Sequence, residues 1–495
     1  MKHTNNTHPK IGLTLLFCVA MIGVFISSSL PVQSQPTEST GGTADAITYL
    51  PLVQNRVDGS LGIPIFGLQM YGTTSDSSKY HSYLLESDAS WLRVEISWAT
   101  AEPTQESPPV YNWTSIDNGL AAARADMGGL NIVATINRAP SWAVVEEETG
   151  PVKPDNLEDF ANFMGALVER YDGDGTDDAP GSPVVLYWEM YNEPDSNTDK
   201  SDPDFLPPVS WGDYGEEYAY MLEEIYPAVK AANPAAQVVF GGIAYDFLKS
   251  NGGKFVDSFL TDVLDEGGGD YFDVMNFHSY PAFYPRWTTN QGSGLLQKAN
   301  AIRNVLVSYG LDKPMIVTET GWHDNNASGP IIPGSQQIQA RYVVELFTQG
   351  MAADLDIVIW WLLYDIGGSY PYDAGLVTNA DTPVEKLAFQ VYQDVVGELS
   401  TTHFERTLSN TETGNSLMEV HQFNDNVLER TLYVAWLNRV DTTATSSLRI
   451  PASSANVKNS ITGNEFMVSD GNDGVIDGHI TVTVGADPLF IEVEK

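Results

Sequence analysis

Eight short apolar runs punctuate residues 65–361, separated by longer stretches with helical periodicity. The runs are IFGLQM from Ile65, WLRVEIS from Trp91, NIVATI from Asn131, VVLYWEMY from Val184, QVVFGG from Gln237, FDVMNFH from Phe272, PMIVTE from Pro314 and DIVIWW from Asp356. Between two of them, the segment from Asp155 places Leu157, Phe160, Phe163, Met164, Leu167 and Tyr171 on one helical face. Asp155 and Glu158 have the spacing of a capping box at its start. The segment from Trp211 repeats the pattern and stops at Asn233-Pro234. This alternation predicts an α/β fold, a (β/α)8 TIM barrel over 61–395. A doubly wound open sheet is the rival, but no Gly-rich phosphate loop follows the first strand. From about residue 396 the pattern changes. LYVAWLNR, LRIPA, HITVTVG and LFIEVEK alternate over short runs separated by turn signals, which predicts a small C-terminal antiparallel β-domain, sandwich-like, over 396–495.

The first ten residues, MKHTNNTHPK, precede the apolar run IGLTLLFCVAMIGVFISSSL. That is the pattern of an export signal, read over 1–34 with small residues at Val32-Gln33-Ser34. Residues 35–60 read as a Ser/Thr/Gly/Gln-rich linker. The expectation is a secreted or cell-surface protein with no membrane span in the mature chain; a retained anchor is the alternative. With Cys18 as the sole cysteine, internal disulfides, thiol catalysis and Cys-based zinc sites are excluded. The 65 acids against 25 Lys and Arg exclude the basic face that a nucleic-acid partner requires.

Active-site residues of such a barrel sit at the carboxyl ends of its strands. Strand four ends in Asn192-Glu193-Pro194, strand seven in Thr318-Glu319-Thr320-Gly321, strand six in His278-Ser279-Tyr280 and strand eight in Trp360-Trp361, while strand two carries Arg93. Two carboxylates in different environments can divide the roles of proton donor and nucleophile, which glycoside hydrolysis requires. An arginine beside one keeps it charged, and aromatic rings offer flat faces to sugar rings. Glu189, inside strand four, reads as a structural carboxylate paired within the barrel.

At these residues the chain resembles the clan A glycoside hydrolases, retaining enzymes on (β/α)8 barrels. WLRVEISW, APSW, YWEMYNEPD, VVFGG, FHSY, VTETGW and IWW occur in the expected order between about Phe66 and Trp361. The chain is most similar to glycoside hydrolase family 39, with family 5 a close rival. The resemblance implies Glu193 as acid/base and Glu319 as nucleophile. It implies Asn192 on the sugar 2-hydroxyl, Arg93 and Tyr280 on Glu319, and His278 lining the same subsite. Trp360 or Trp361 would floor the reacting sugar, with Trp360 favoured, and Trp142 of APSW would line the cleft. It implies a carbohydrate substrate, no cofactor and no metal.

DGDGTDD from Asp172 has calcium-like Asp spacing but lacks the sixth-position Gly and distal Glu of a helix-loop-helix site, so it reads as an acidic turn. SDGNDGVIDG reads as a hairpin turn. The function expected is a secreted retaining glycosidase of the β-xylosidase or endo-β-glycanase type. A non-catalytic glycan-binding protein on the same scaffold is the alternative from another class.

Overall fold

The computed structural model describes residues 63–494, apart from 72–74, 126–128, 147–148, 182, 198–210, 326–333 and 368–372. The expected signal segment and the whole linker lie outside the described residues. Each of the eight apolar runs forms a strand: β1 (Phe66–Gln69), β2 (Trp91–Ser97), β3 (Asn131–Asn137), β4 (Tyr187–Met190), β5 (Gln237–Val239), β6 (Met275–Ser279), β7 (Met315–Thr320) and β8 (Ile357–Trp360). They make one parallel sheet in the order β5-β4-β3-β2-β1-β8-β7-β6. Parallel bridges Val239↔Val274 and Ile243↔Phe277 join its two ends, so the sheet closes into a barrel. Closure removes the exposed edges that an open sheet would present.

Strand parity sorts the side chains. Trp91, Val133, Val239, Val274, Ile316, Ile357 and Ile359 fill the barrel interior as one buried cluster. Their alternate neighbours face the surrounding helices and join the large outer core. Helix α1 (Leu157–Arg170) buries Phe160, Phe163, Met164, Leu167 and Val168, the face expected from periodicity. Its start is different. Pro154–Asn156 forms a 3-10 turn, the helix begins at Leu157, and no side-chain cap bond forms, so the Asp155–Glu158 capping box is absent. Asn156 instead donates its Nδ2 to Asp159 at 2.8 Å. Helix α2 (Gly215–Ala232) ends at Asn233, as expected.

The expected boundary at 395/396 falls inside α4 (Leu387–Leu399), which packs on α3 (Gln336–Ala352) and completes the barrel's outer ring. The β-domain starts at Thr402. Its six-stranded antiparallel sheet faces the pair Ser446–Pro451 and His479–Val484 across a core of Val420, Leu448, Ile450, Val457, Ile480 and Ile491. Buried Glu419 fixes it to the barrel, accepting from Asn290 Nδ2 at 2.9 Å and Gln349 Nε2 at 2.8 Å. Arg341 adds an ion pair with Asp487 at 2.6 Å. These contacts give the β-domain a packing role.

Glu345, on α3 beside this interface, is 1% exposed, and neither carboxyl oxygen has a partner. Burial, with Glu419's charge added, pushes its pKa well up against the opposing pull of Arg341. The folded chain therefore keeps a proton that the unfolded chain releases above its ordinary carboxyl pKa of about 4.3. Its contribution to stability is intact below that pH and is lost as pH rises. Glu345→Gln is expected to raise the melting temperature near neutral pH and to leave it unchanged near pH ~4. Thermal melts of the two proteins across that range check this; equal gains at both ends would exclude titration of Glu345 as the cause.

Candidate active site

Strands β2, β4, β6 and β7 and the turns after them carry one connected polar network. At its centre lies Arg93, fully buried, with all five N–H donors used. Nε and Nη2 donate to the two oxygens of Glu189 at 2.8 and 2.9 Å. Nη1 donates to Gln69 at 2.8 Å and to Glu319 Oε1 at 2.7 Å. Nη2 also donates to Asn192 Oδ1 at 2.8 Å. Glu189 accepts further bonds from Thr135 at 2.7 Å, Asn276 at 3.0 Å, Thr318 at 3.1 Å and the Gly242 amide at 3.2 Å. Burial works against its charge, but Arg93 and these donors hold its pKa below the usual carboxylate range. Saturated and 0% exposed, Glu189 is the structural carboxylate expected.

Glu319 and Glu193 differ from it in lying beside His278. Glu319 Oε2 accepts from Tyr280 Oη at 2.9 Å. His278 Nδ1 lies 3.1 Å from Glu193 Oε1 and 3.5 Å from Glu319 Oε2, between the two carboxylates. One oxygen of each and a ring nitrogen of His278 fall within 4.8 Å of one another. That spacing would also admit a cation, but Arg93 already supplies positive charge at Glu319.

Two local devices create this geometry. At the end of β7 the ladder slips by one residue: Phe277 pairs with Val317, but His278 pairs with Glu319. The bulge turns both Thr318 and Glu319 toward the interior, where strict alternation would admit one. After β4, Tyr191 and Glu193 adopt left-handed φ of 66° and 45°, a costly conformation that aims the Glu193 side chain. The Glu193 amide is held by Gly242 O at 3.0 Å. A Cβ on Gly242 would come within 2.3 Å of His278 Nε2, so only glycine fits between these groups.

Arg93, Asn192, Glu193, His278, Tyr280 and Glu319 are thus brought together. The tryptophans lie outside this network. Ile357 and Ile359 point into the barrel, so parity sends Trp360 outward, where it is buried and its Nε1 donates to Ala374 O at 3.1 Å. Trp361 takes the inward side; its Nε1 donates to Tyr71 Oη at 3.2 Å. Parity therefore disfavours Trp360 as the floor and leaves Trp361, the alternative named with it. Trp142 is half-buried, packs edge-on against Trp98 with ring centres 5.4 Å apart, and bonds Glu102 O at 3.2 Å. It forms no bond with the carboxylate network.

Glu95 and Tyr71 went unnoticed in the sequence. Glu95 follows Arg93 by one strand repeat, is accessible to solvent, and accepts from Asn137 Nδ2 at 3.1 Å. The protein ringing it raises its pKa, with Arg93 and Asn137 opposing and Glu319 adding to the rise. Burial raises the pKa of Tyr71, as do the charges of Glu95 and Glu319. Parity from Arg93 was the signal available for Glu95. Asp172, Asp174 and Asp178 gather one oxygen each within 4.8 Å, and Asx-type bonds to the Asp174 and Thr176 amides account for that turn.

A closed (β/α)8 barrel with this rim is that of a clan A glycoside hydrolase, and comparison with known proteins agrees. Residues 62–365, more than half of the chain, match cellulase, glycosyl hydrolase family 5, and the chain belongs to that family. Among solved structures it is similar to a family 39 glycoside hydrolase from the gut symbiont Bacteroides cellulosilyticus WH2, with 18% identity, TM-score 0.64, and 88% of this chain and 81% of that one covered. It is also similar to the catalytic domain of GH30 xylanase C from Talaromyces cellulolyticus, with 16% identity, TM-score 0.57, and 88% and 97% covered. CelM2, a bifunctional glucanase-xylanase from a metagenome library, gives 12% identity, TM-score 0.53, and 88% and 97% covered. At these identities the structural likeness speaks for the fold alone. No curated protein sequence matches the chain. The protein is a glycoside hydrolase. No helix among the described residues is long and apolar enough to cross a membrane.

Proposed function

We propose that this glycoside hydrolase is a secreted, retaining enzyme acting on a poly- or oligosaccharide, with Glu319 as nucleophile and Glu193 as acid/base. The observation that carries the reading is the approach of Glu193 and Glu319 oxygens to within 4.8 Å. Inverting enzymes hold their carboxyl groups about 6.5–9.5 Å apart to admit a water, and retaining enzymes about 5–5.5 Å. In the first step Glu319 attacks the anomeric carbon as Glu193 gives its proton to the leaving oxygen. In the second, Glu193 takes a proton from water, which displaces Glu319. Arg93 and Tyr280 donate to separate oxygens of Glu319 and fix its direction of attack. Because Arg93 can only donate, it orients the Asn192 amide oxygen toward itself, leaving the NH2 end for a substrate hydroxyl. The export-signal pattern supports secretion.

The test is turnover of aryl β-glycosides and a polysaccharide panel by the full-length chain, with the anomer first released read by proton NMR. Release of the inverted anomer would overturn retention; no turnover by folded protein would favour a glycan-binding role. On a substrate so found, Trp361→Ala is expected to lower kcat/KM by about ten-fold or more through lost ring stacking. Trp360→Ala is expected instead to cost about 3–5 kcal/mol of stability. Kinetics paired with denaturant melts separate the two.

A further inference from the structure

Beyond the carboxylate pair, the segment Ala244–Leu248 after β5 is built with unusual care. Tyr245 and Phe247 have left-handed φ of 47° and 26°, which aromatic residues seldom adopt. The loop is fastened on both sides of the site. Asp195, two residues past Glu193, accepts from the amides of Ala244 at 3.0 Å and Tyr245 at 2.8 Å. Lys298, fully buried, donates to Asp246 at 2.6 Å, to His278 O at 2.6 Å and to Ala244 O. A Cβ on Gly253 would collide with Phe247 O, so the closing turn requires glycine. Strain held by buried ionic anchors marks functional segments.

What the strain displays is aromatic. Tyr245 stacks on Trp287, with centres 6.0 Å apart, and Phe247 on Phe283 at 6.3 Å. Beside them lies a groove of about 460 Å³ walled by Phe247, Leu248, Ala282, Phe283 and Pro285, with Asn251 and Arg286 also lining it. The Arg286 guanidinium lies 4.7 Å from the Trp287 ring centre and 5.6 Å from that of Tyr245. Among the described residues it makes no hydrogen bond or ion pair, in a chain where acids outnumber Lys and Arg 65 to 25. The acids that act on it are committed elsewhere, Asp246 to Lys298 and Trp287 and Asp257 to Ser250. A planar guanidinium with unspent donors, laid over aromatic faces, suits a carboxylate on a flat-faced ligand.

We propose that this groove is a leaving-group subsite for a uronic acid, a sugar whose ring packs on the aromatic wall while its carboxylate meets Arg286. The inference rests on the glycosidase reading above. The acid/base carboxyl serves the leaving group, and this loop is tied to the Glu193 loop through Asp195. Carboxylate recognition here is a local exception to the acidic chain.

The test has two arms on the full-length protein. In the first, sodium glucuronate and glucose are titrated into wild type and Arg286→Gln, read by calorimetry. Wild type is expected to bind glucuronate saturably and in preference to glucose, and Arg286→Gln to weaken that binding about ten-fold or more. In the second, kcat/KM is compared for one glycone linked to a uronic acid or to a neutral sugar. Wild type is expected to prefer the uronic acid about ten-fold, Arg286→Gln to approach parity, and Arg286→Lys to keep part of the preference. Absence of glucuronate binding by wild type, or a preference that survives in Arg286→Gln, overturns the proposal. Failure of the glycosidase reading shows separately, as no turnover of any aryl glycoside while glucuronate binding persists.

Discussion

Glu319→Gln is expected to lower kcat on an aryl β-glycoside by at least about 10⁴-fold while the fold is kept. On the proposed mechanism this removes the nucleophile and with it the covalent route, and deleting one member of a catalytic triad in an unrelated enzyme costs about 10⁴–10⁶. The amide retains volume and an oxygen for Arg93 or Tyr280, the two donors that hold Glu319 at 2.7 and 2.9 Å. Glu193→Gln should behave differently. With a good aryl leaving group, formation of the glycosyl-enzyme needs little protonation, so a burst of aryl alcohol precedes slow turnover. With a sugar leaving group both steps suffer, by about 10²–10⁴-fold. Azide, which needs no general base, should restore turnover of the aryl substrate by Glu193→Gln. Stopped-flow kinetics on the two variants checks this, and wild-type turnover by Glu319→Gln would end the assignment.

The second large effect is expected at Arg93. Its replacement by Met leaves the buried carboxylate of Glu189 without its cation, and Glu319 loses its ion pair at the same time. Breaking a buried pair by removing one partner costs about 3–5 kcal/mol. Arg93→Lys should rescue little, because an ammonium has three donors and cannot fork onto both oxygens of Glu189 while reaching Gln69, Glu319 and Asn192. Arg93→Met with Glu189→Gln should recover part of the stability and none of the activity. Denaturant unfolding and turnover measured together distinguish these roles; a double variant no more stable than the single would show that Glu189's charge is not the source of the loss.

Much of this molecule was legible in its sequence. The eight apolar runs, the buried face of the helix from Leu157 to Arg170, and the β-domain follow from local periodicity, which needs no neighbour to be read. The strand ends carrying Asn192, Glu193, His278, Tyr280 and Glu319 follow from the rule that such barrels work at one rim, and Arg93 was legible inside the second apolar run. The capping box failed because Asp155 was absorbed into a 3-10 turn and the helix began after it. Secondary structure alone left the tryptophans ambiguous, since adjacent residues face opposite sides and nothing local says which side is the interior.

Tertiary structure decided the rest. Ile357 and Ile359 lie among the interior cluster, and by parity that turns Trp360 away from the interior. The slip between β6 and β7 lets Thr318 and Glu319 both face inward, a registration set by hydrogen bonds between strands. Lys298 reaches His278 and Asp246 across separate loops, and Arg286, without an ion pair among the described residues, stands over Trp287. None of these is a property of a short window of chain. Periodicity along one strand fixes which residues share a face; packing against the neighbours fixes where that face points, which carboxylates share a cation, and which donors remain unspent.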